Sequence, residues 1–397
     1  MSSLPDPVLL DERFFSDPHA SYTALRRDGT VHRAVAADGA PLHLVTGYQQ
    51  VRDAAMNPAL SLDKRHARTG GRDGASLPPE LDSHLLNRDA ADHARLRRLV
   101  NGAFTARRTR LLRDDVQEIT DQLLHRMASR PRADVVADFA MPLSMEVICR
   151  VLGIPPGSRP DFREWTNTLL SPDPRAAQQS REAMRHMHRF LVTLIDRKRE
   201  HPADDLLSEL VLAQENDDRL SADELVAMAF LLLFGGYHNT GSLIATTVMA
   251  LLTHPAHRAA FASGELPPHA LTEEALRWNS PTMLAVRRFA THDLRIGGTD
   301  VATGDRVWLS WASANRAPER FEDPSVFDPH RKDNPHLAFG HGPHYCPGAA
   351  LARLENSVAV TSLLRRFPDV SLIGSPDELR WFVSPRSRCL SALPVSL

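Results

Sequence analysis

The segment Phe339-Gly340-His341-Gly342-Pro343-His344-Tyr345-Cys346-Pro347-Gly348 concentrates the chemistry of this chain. It sets a single cysteine at the end of a glycine-punctuated loop, directly before a helical run, Ala349 to Leu354. A helix N-terminus presents free backbone N–H groups and the positive end of its dipole, so it favours a thiolate. An anionic sulfur held in this way is a good axial ligand for haem iron, and it pushes electron density toward O–O cleavage. The chemistry expected of Cys346 is therefore dioxygen activation. Gly340 and Gly342 allow a tight turn close to a flat macrocycle, and Phe339 can cover its face and keep water off the sulfur. The pattern predicts Cys346 at the cap position and Pro347 at the first helical position, with the N–H groups of Gly348 and Ala349 as donors to sulfur. Cys149 and Cys389 lack such surroundings and read as inert core residues.

Three further groupings stand out. His93 and Arg97 lie at i, i+4 in Asp92-His93-Ala94-Arg95-Leu96-Arg97-Arg98-Leu99; taken alone they are the solvated basic face of an amphipathic helix. Glu274 and Arg277 lie at i, i+3 and share a helix face; alone, such a pair is a surface salt bridge of little worth. Gly235-Gly236-Tyr237-His238-Asn239-Thr240 places small and polar residues inside a long apolar helix.

Taken together, these segments resemble the cytochrome P450 family, with marks running from Asp92 to Gly348 and a length that suits a soluble bacterial member. The resemblance implies haem b as cofactor, with its iron ligated by the Cys346 thiolate and with Phe339, Gly340 and Gly348 shaping the loop. It assigns His93, Arg97, Arg288 and His344 to the haem propionates, Arg287 being one residue away from Arg288. It makes Glu274 and Arg277, with Arg316 or Arg331, a structural ion network. The stretches Asn315 to Phe321 and Phe327-Asp328-Pro329 match the family's meander. Similar members carry Ala/Gly-Gly-x-acid-Thr over the distal haem face, and here the sequence departs. His238 stands at the acid position, Asn239 at the alcohol position, and Thr240 one position late. With Gly236 these are the candidate catalytic residues. His238 can shuttle protons at its ordinary pKa. Asn239 can hydrogen-bond but is a poor proton carrier. Thr240 is about 100° round the helix and substitutes only if the helix is distorted.

Elements that must hold these residues follow from periodicity. Helical spacing predicts helices over Val116–Ala128, Leu143–Leu152, Ala176–Glu200, Asp205–Gln214, Asp223–Thr253, Leu271–Trp278 and Ala349–Phe367. Ser221 and Glu224 form a capping-box signature at the start of the long one. Strand-like runs are short: Leu42–Val45, Leu294–Ile296, Arg306–Ser310 and Val370–Leu372. Asp63–Asn87 and Pro155–Pro174 read as loops, the latter around a helical patch at Phe162–Leu169. The expected fold is mainly α with minor β, a P450 fold with a long central helix over the haem, in one domain spanning 1–397.

Composition narrows the function classes. A net charge of −2 over 397 residues argues against nucleic-acid binding, leaving an Arg95–Arg113 basic helix as a minor rival. Three scattered cysteines make neither a disulfide framework nor a zinc site. Met1–Asp17 has no apolar signal core, and Leu225–Gly236 is too short to span a bilayer, so no membrane partner and a cytoplasmic location are expected. No Gly-x-Gly-x-x-Gly opens a βαβ unit, so electrons are expected from a ferredoxin and its reductase, docking at Arg95, Arg98, Arg107, Arg108 and Arg110. The substrate is expected to be a small organic molecule, a secondary-metabolite intermediate, hydroxylated or epoxidised between walls drawn from Asp63–Arg88, Thr166–Met187, Phe230–Asn239, Thr282–Val286 and Phe382–Arg388. Two alternatives stay open: an atypical oxidation by coupling, ring closure or peroxide, and a non-catalytic haem sensor.

Overall fold

The computed structural model describes residues 6–68, 77–170, 177–214, 220–385 and 387–397. Helices dominate and three small sheets complete the fold, which is the mainly α, minor β class that the periodicity predicts. The central helix runs from Ala222 to Thr253, about 48 Å at 1.5 Å per residue. Its start is fixed by the expected capping box: Glu224 N–H donates to Ser221 Oγ (3.1 Å) and Ser221 N–H to Glu224 Oε2 (3.0 Å). Arg95 also clamps the Glu224 carboxylate, at 2.6 and 3.2 Å.

A helix apolar on nearly all sides belongs inside a core. The central helix packs against Met141–Val151, Pro268–Trp278 and Ala349–Arg366. The crossing with the first of these is close: a Cβ at Gly241 would lie 2.6 Å from Met141 Sδ. The helix Ala349–Arg366, which follows the cysteine loop, also packs on Ala106–Met127. That helix begins well before the predicted Val116. Arg and Leu, which fill its first turns, are good helix formers, and the arginines interrupt the apolar spacing there. Among the described residues no helix is long and apolar enough to cross a membrane.

The largest sheet has the order Val8–Leu10, Val31–Ala36, Pro41–Val45, Arg306–Leu309, Arg288–Ala290, Leu60–Ser61. It places Arg288 opposite Val307 and so carries one candidate cofactor residue from a strand that periodicity does not predict. The C-terminal strand Pro394–Ser396 pairs with Arg132–Asp134 and tethers the segment before it, which reaches back to the central helix. The helix Pro18–Asp28, capped by Asp17, also escapes periodicity, because only Pro18 and Tyr22 of it are buried. In the two predicted loops the chain forms short turns at Lys64–His66 and Leu85–Asn87 and a helix at Arg159–Leu170. Residues 69–76 and 171–176 lie outside the described residues.

Candidate active site

The cysteine loop is closed by its own backbone. Cys346 N–H donates to Phe339 O (2.8 Å), Gly340 N–H to Leu337 O (2.8 Å) and Tyr345 N–H to Gly342 O (3.0 Å). Gly340 and Gly342 have φ of +77° and +76°, a region that disfavours side chains. The helix that follows starts at Ala349 with Gly348 as its cap. Cys346 is therefore two residues outside the cap, and Pro347 sits in the turn, not at the first helical position. Burial pushes the thiol up from its ordinary value, while the Gly348 N–H and the charges of Arg97 and Arg353 pull against it. In the protein alone burial wins over the helix terminus; a bound metal cation is what deprotonates a coordinating thiol outright.

Phe339 is fixed from below. Arg353 lies over its ring at 4.6 Å and donates twice to Glu273, both at 2.7 Å. His336 joins the same carboxylate at 3.2 Å. Burial would raise Glu273, but the hydrogen bonds from Arg353 and His336 hold it down to about 2. The sequence reading missed this trio. The signal was the position of Arg353, about one helical turn after the helix start at Ala349.

Beside it, Glu274 faces inward. Arg277 donates to both its oxygens (2.8 and 2.7 Å) and to the carbonyls of Asn315, Pro324 and Val326. Both side chains are essentially inaccessible, at 0% and 1%. Asp328 N–H and Asn334 Nδ2 complete the carboxylate. Arg331 is the further cation, 3.6 Å from Glu274. Arg316 is not: its Nε donates to Trp278 O and its guanidinium stacks on that indole.

Four predicted cofactor residues carry buried nitrogens without a partner: His93 Nε2, Arg97 Nη1, Arg288 Nε and His344 Nδ1. The rings of His93 and His344 are 4.0 Å apart. Burial, then the charges of His93 and Arg288, push His344 down to about 3, and burial lowers Arg288 to about 10. Arg288 is the buried arginine of its pair, at 5% exposure. Buried donors without partners are costly. An anionic group with several acceptor oxygens satisfies them together, so these residues fit the carboxylates of a haem.

The central helix shows one open face in an otherwise buried length: Leu231, Phe234, Gly235, His238 and Asn239, at helical spacing, are partly or wholly accessible. The adjacent glycines Gly235 and Gly236 serve different ends. A Cβ at Gly235 would meet nothing within 4 Å, whereas one at Gly236 would lie 2.8 Å from Ile148. Gly236 thus allows the helix crossing, and Gly235 borders the open face. His238 Nδ1 is 2.9 Å from Ser387 Oγ, and burial lowers its pKa to about 4. Burial thus holds His238 below the near-neutral value of a free imidazole. Asn239 accepts from Thr282 Oγ1 (3.2 Å) and donates to Gly235 O (3.4 Å). Thr240 is buried in an uninterrupted α-helix, without the distortion that would bring it into register.

Of the basic cluster expected to meet an electron donor, Arg95 is committed to Glu224. Arg98 and Arg110 are exposed, and the side chains of Arg107 and Arg108 lie outside the described residues.

The family model described as Cytochrome P450 matches residues 158–262 and 269–379. Cytochrome P450 107B1 of Saccharopolyspora erythraea is 43% identical over 99% of this chain and 98% of its own length. The cytochrome P450 monooxygenase PikC of Streptomyces venezuelae is 41% identical over 98% of this chain and 94% of its own length. The tirandamycin C-bound P450 monooxygenase TamI superposes with a TM-score of 0.91 at 40% identity, over 98% of this chain and all of that one.

Proposed function

This chain belongs to the cytochrome P450 family of monooxygenases, with haem b bound through a cysteine thiolate, and from that premise we propose that it oxidises a secondary-metabolite intermediate of moderate size, the class to which the tirandamycin C of TamI's complex points. Cys346 is the iron ligand in this reading, and His93, Arg97, Arg288 and His344 hold the propionates. The observation that carries it is the convergence of their four unpartnered buried nitrogens about the loop that presents Cys346. When bound, the haem supplies dioxygen activation: one oxygen atom enters the substrate, and the other leaves as water with two protons and two electrons from a separate donor, a ferredoxin.

The chain's own residues set how the protons arrive. His238 is neutral at pH 7 because burial lowers it, so it does not carry a standing proton. Asn239 offers an amide anchored at both ends, which can orient a water or a substrate hydroxyl without itself ionising. Oxygen insertion with protons routed through such a hydroxyl is the first reading. Oxidative coupling or ring closure is the second, favoured by the same commitment of His238 and Asn239 to neighbouring loops.

Asn239→Thr tests the choice in turnover with ferredoxin, reductase and NADPH. The first reading expects the same product, carrying one added oxygen, with NADPH more tightly coupled to it. Collapse of product formation would give Asn239 a positive role and favour the second.

A further inference from the structure

Away from the haem residues, basic side chains from three distant parts of the chain gather at the helix Pro18–Asp28. The His19 ring lies within the fields of Arg316, Arg388 and Arg26, with the Asn279 amide beside it. Arg316 in turn lies within those of Arg388 and Arg26. Arg26 is fixed by Ser313 Oγ (2.9 Å) and Arg316 by Trp278 O (2.7 Å). Arg388 stacks on Trp381 at 4.1 Å.

The cluster is short of acceptors. Arg388 is 7% exposed, and its Nε and Nη1 are buried without a partner; the ring nitrogens of His19 are also buried and make no well-formed hydrogen bond, the Asn279 amide being their one polar neighbour, while the Tyr22 hydroxyl lies against Ser310. It is also short of negative charge. Asp17 acts on Arg388 and Glu319 on Arg26, yet among the described residues neither forms an ion pair with these arginines. Glu274, the carboxylate that acts on Arg316, is already committed to Arg277. Three guanidiniums thus face two carboxylates at a distance. Buried charge in this state calls for a counter-ion.

We propose that Arg388, Arg316, Arg26 and His19 bind one small monovalent inorganic anion of the size and charge of chloride. A single negative charge matches the excess; a divalent oxyanion exceeds it. Neutral His19 supplies one N–H, which suits an acceptor with no proton of its own. The position gives the anion a lever on the active site. Arg388 N–H donates to Pro281 O (2.9 Å), and Arg388 O accepts from Ser242 Oγ on the central helix (2.5 Å). The preceding residue, Ser387, holds His238. Fixing the Arg388 side chain therefore fixes the strap that sets His238.

The test uses the haem-loaded protein exchanged into sodium gluconate, with chloride or bromide replacing gluconate at constant ionic strength to hold screening fixed. We expect a saturable rise in Tm of about 3 °C with either halide, none with sulfate, and a bromide anomalous peak between Arg388 and His19 in crystals. Arg388→Met should abolish both the rise and the peak. Where that variant does not fold, His19→Phe should weaken halide dependence at least tenfold in midpoint concentration. Equal Tm in gluconate and halide would overturn the proposal, whether the site then holds water or an adventitious ion only. So would a rise that survives both substitutions.

Discussion

The Cys346 loop closes on itself, through backbone bonds that span only a few residues, from Cys346 to Phe339 and from Tyr345 to Gly342. The open face of the central helix is held by partners remote in sequence: Thr282 is 43 positions from Asn239, and Ser387 is 149 from His238. Backbone closure depends little on side-chain identity, apart from the glycines that its φ angles require. Side-chain bonds to distant loops change with single substitutions. The side proposed to hold the cofactor is thus built for constancy, and the side expected to meet substrate is built from parts that can be exchanged one at a time.

The sharpest way to break that contrast is to attack what lies under the constant side. Glu274 and Arg277 are fully buried, and Arg277 also ties three carbonyls of the segment leading to the cysteine loop. Glu274→Ala leaves a buried guanidinium unpaired and should cost about 3–5 kcal/mol. The measurement is the yield of folded, haem-loaded protein and its Tm. A variant with native Tm would show that the loop does not rest on this pair.

A smaller effect belongs to the exchangeable side. Burial lowers His238 to about 4, against about 6.5 in an unfolded chain. Between those values the unfolded state binds more protons, so stability rises with pH. The full contribution is present above about pH 6.5 and is lost as pH falls to about 4, at most about 3 kcal/mol. His238→Gln should flatten the Tm profile over that window. His84, which burial also lowers to about 4, stays in both proteins, so the difference between the two profiles isolates His238. Parallel profiles would mean that His238 keeps its ordinary pKa.

What the sequence disclosed divides along the same line. Local spacing is legible: the glycines around Cys346, the i, i+3 pair Glu274–Arg277, the capping box at Ser221 and the bounds of the central helix. Whatever depends on which surfaces meet is not. That Gly236 accommodates Ile148 while Gly235 borders open space needs the packed helix pair. That His238 is pushed down to about 4 needs its burial. Arg331 rather than Arg316 completes the ion network because Arg316 is drawn to Trp278, a preference no spacing encodes. The cap itself slipped by two residues, since Pro347 and Gly348 form the turn that opens the helix at Ala349.

The finest test pairs one substitution on each side. Gly340→Ala forces a side chain into φ of +77° and should cost about 1–2 kcal/mol. It should lower Tm and the fraction of reduced, CO-bound protein absorbing as the thiolate form, with product ratios unchanged. Thr282→Val keeps shape but removes the donor to Asn239 Oδ1, for about 1 kcal/mol or less at this part-buried site. Its CO spectrum should stay native while coupling and product ratios shift, because the Asn239 amide is freed at one end. If Thr282→Val changed nothing in the product and Gly340→Ala changed the ratios, selectivity would follow from the seating of the haem, and the long-range bonds of His238 and Asn239 would be packing alone.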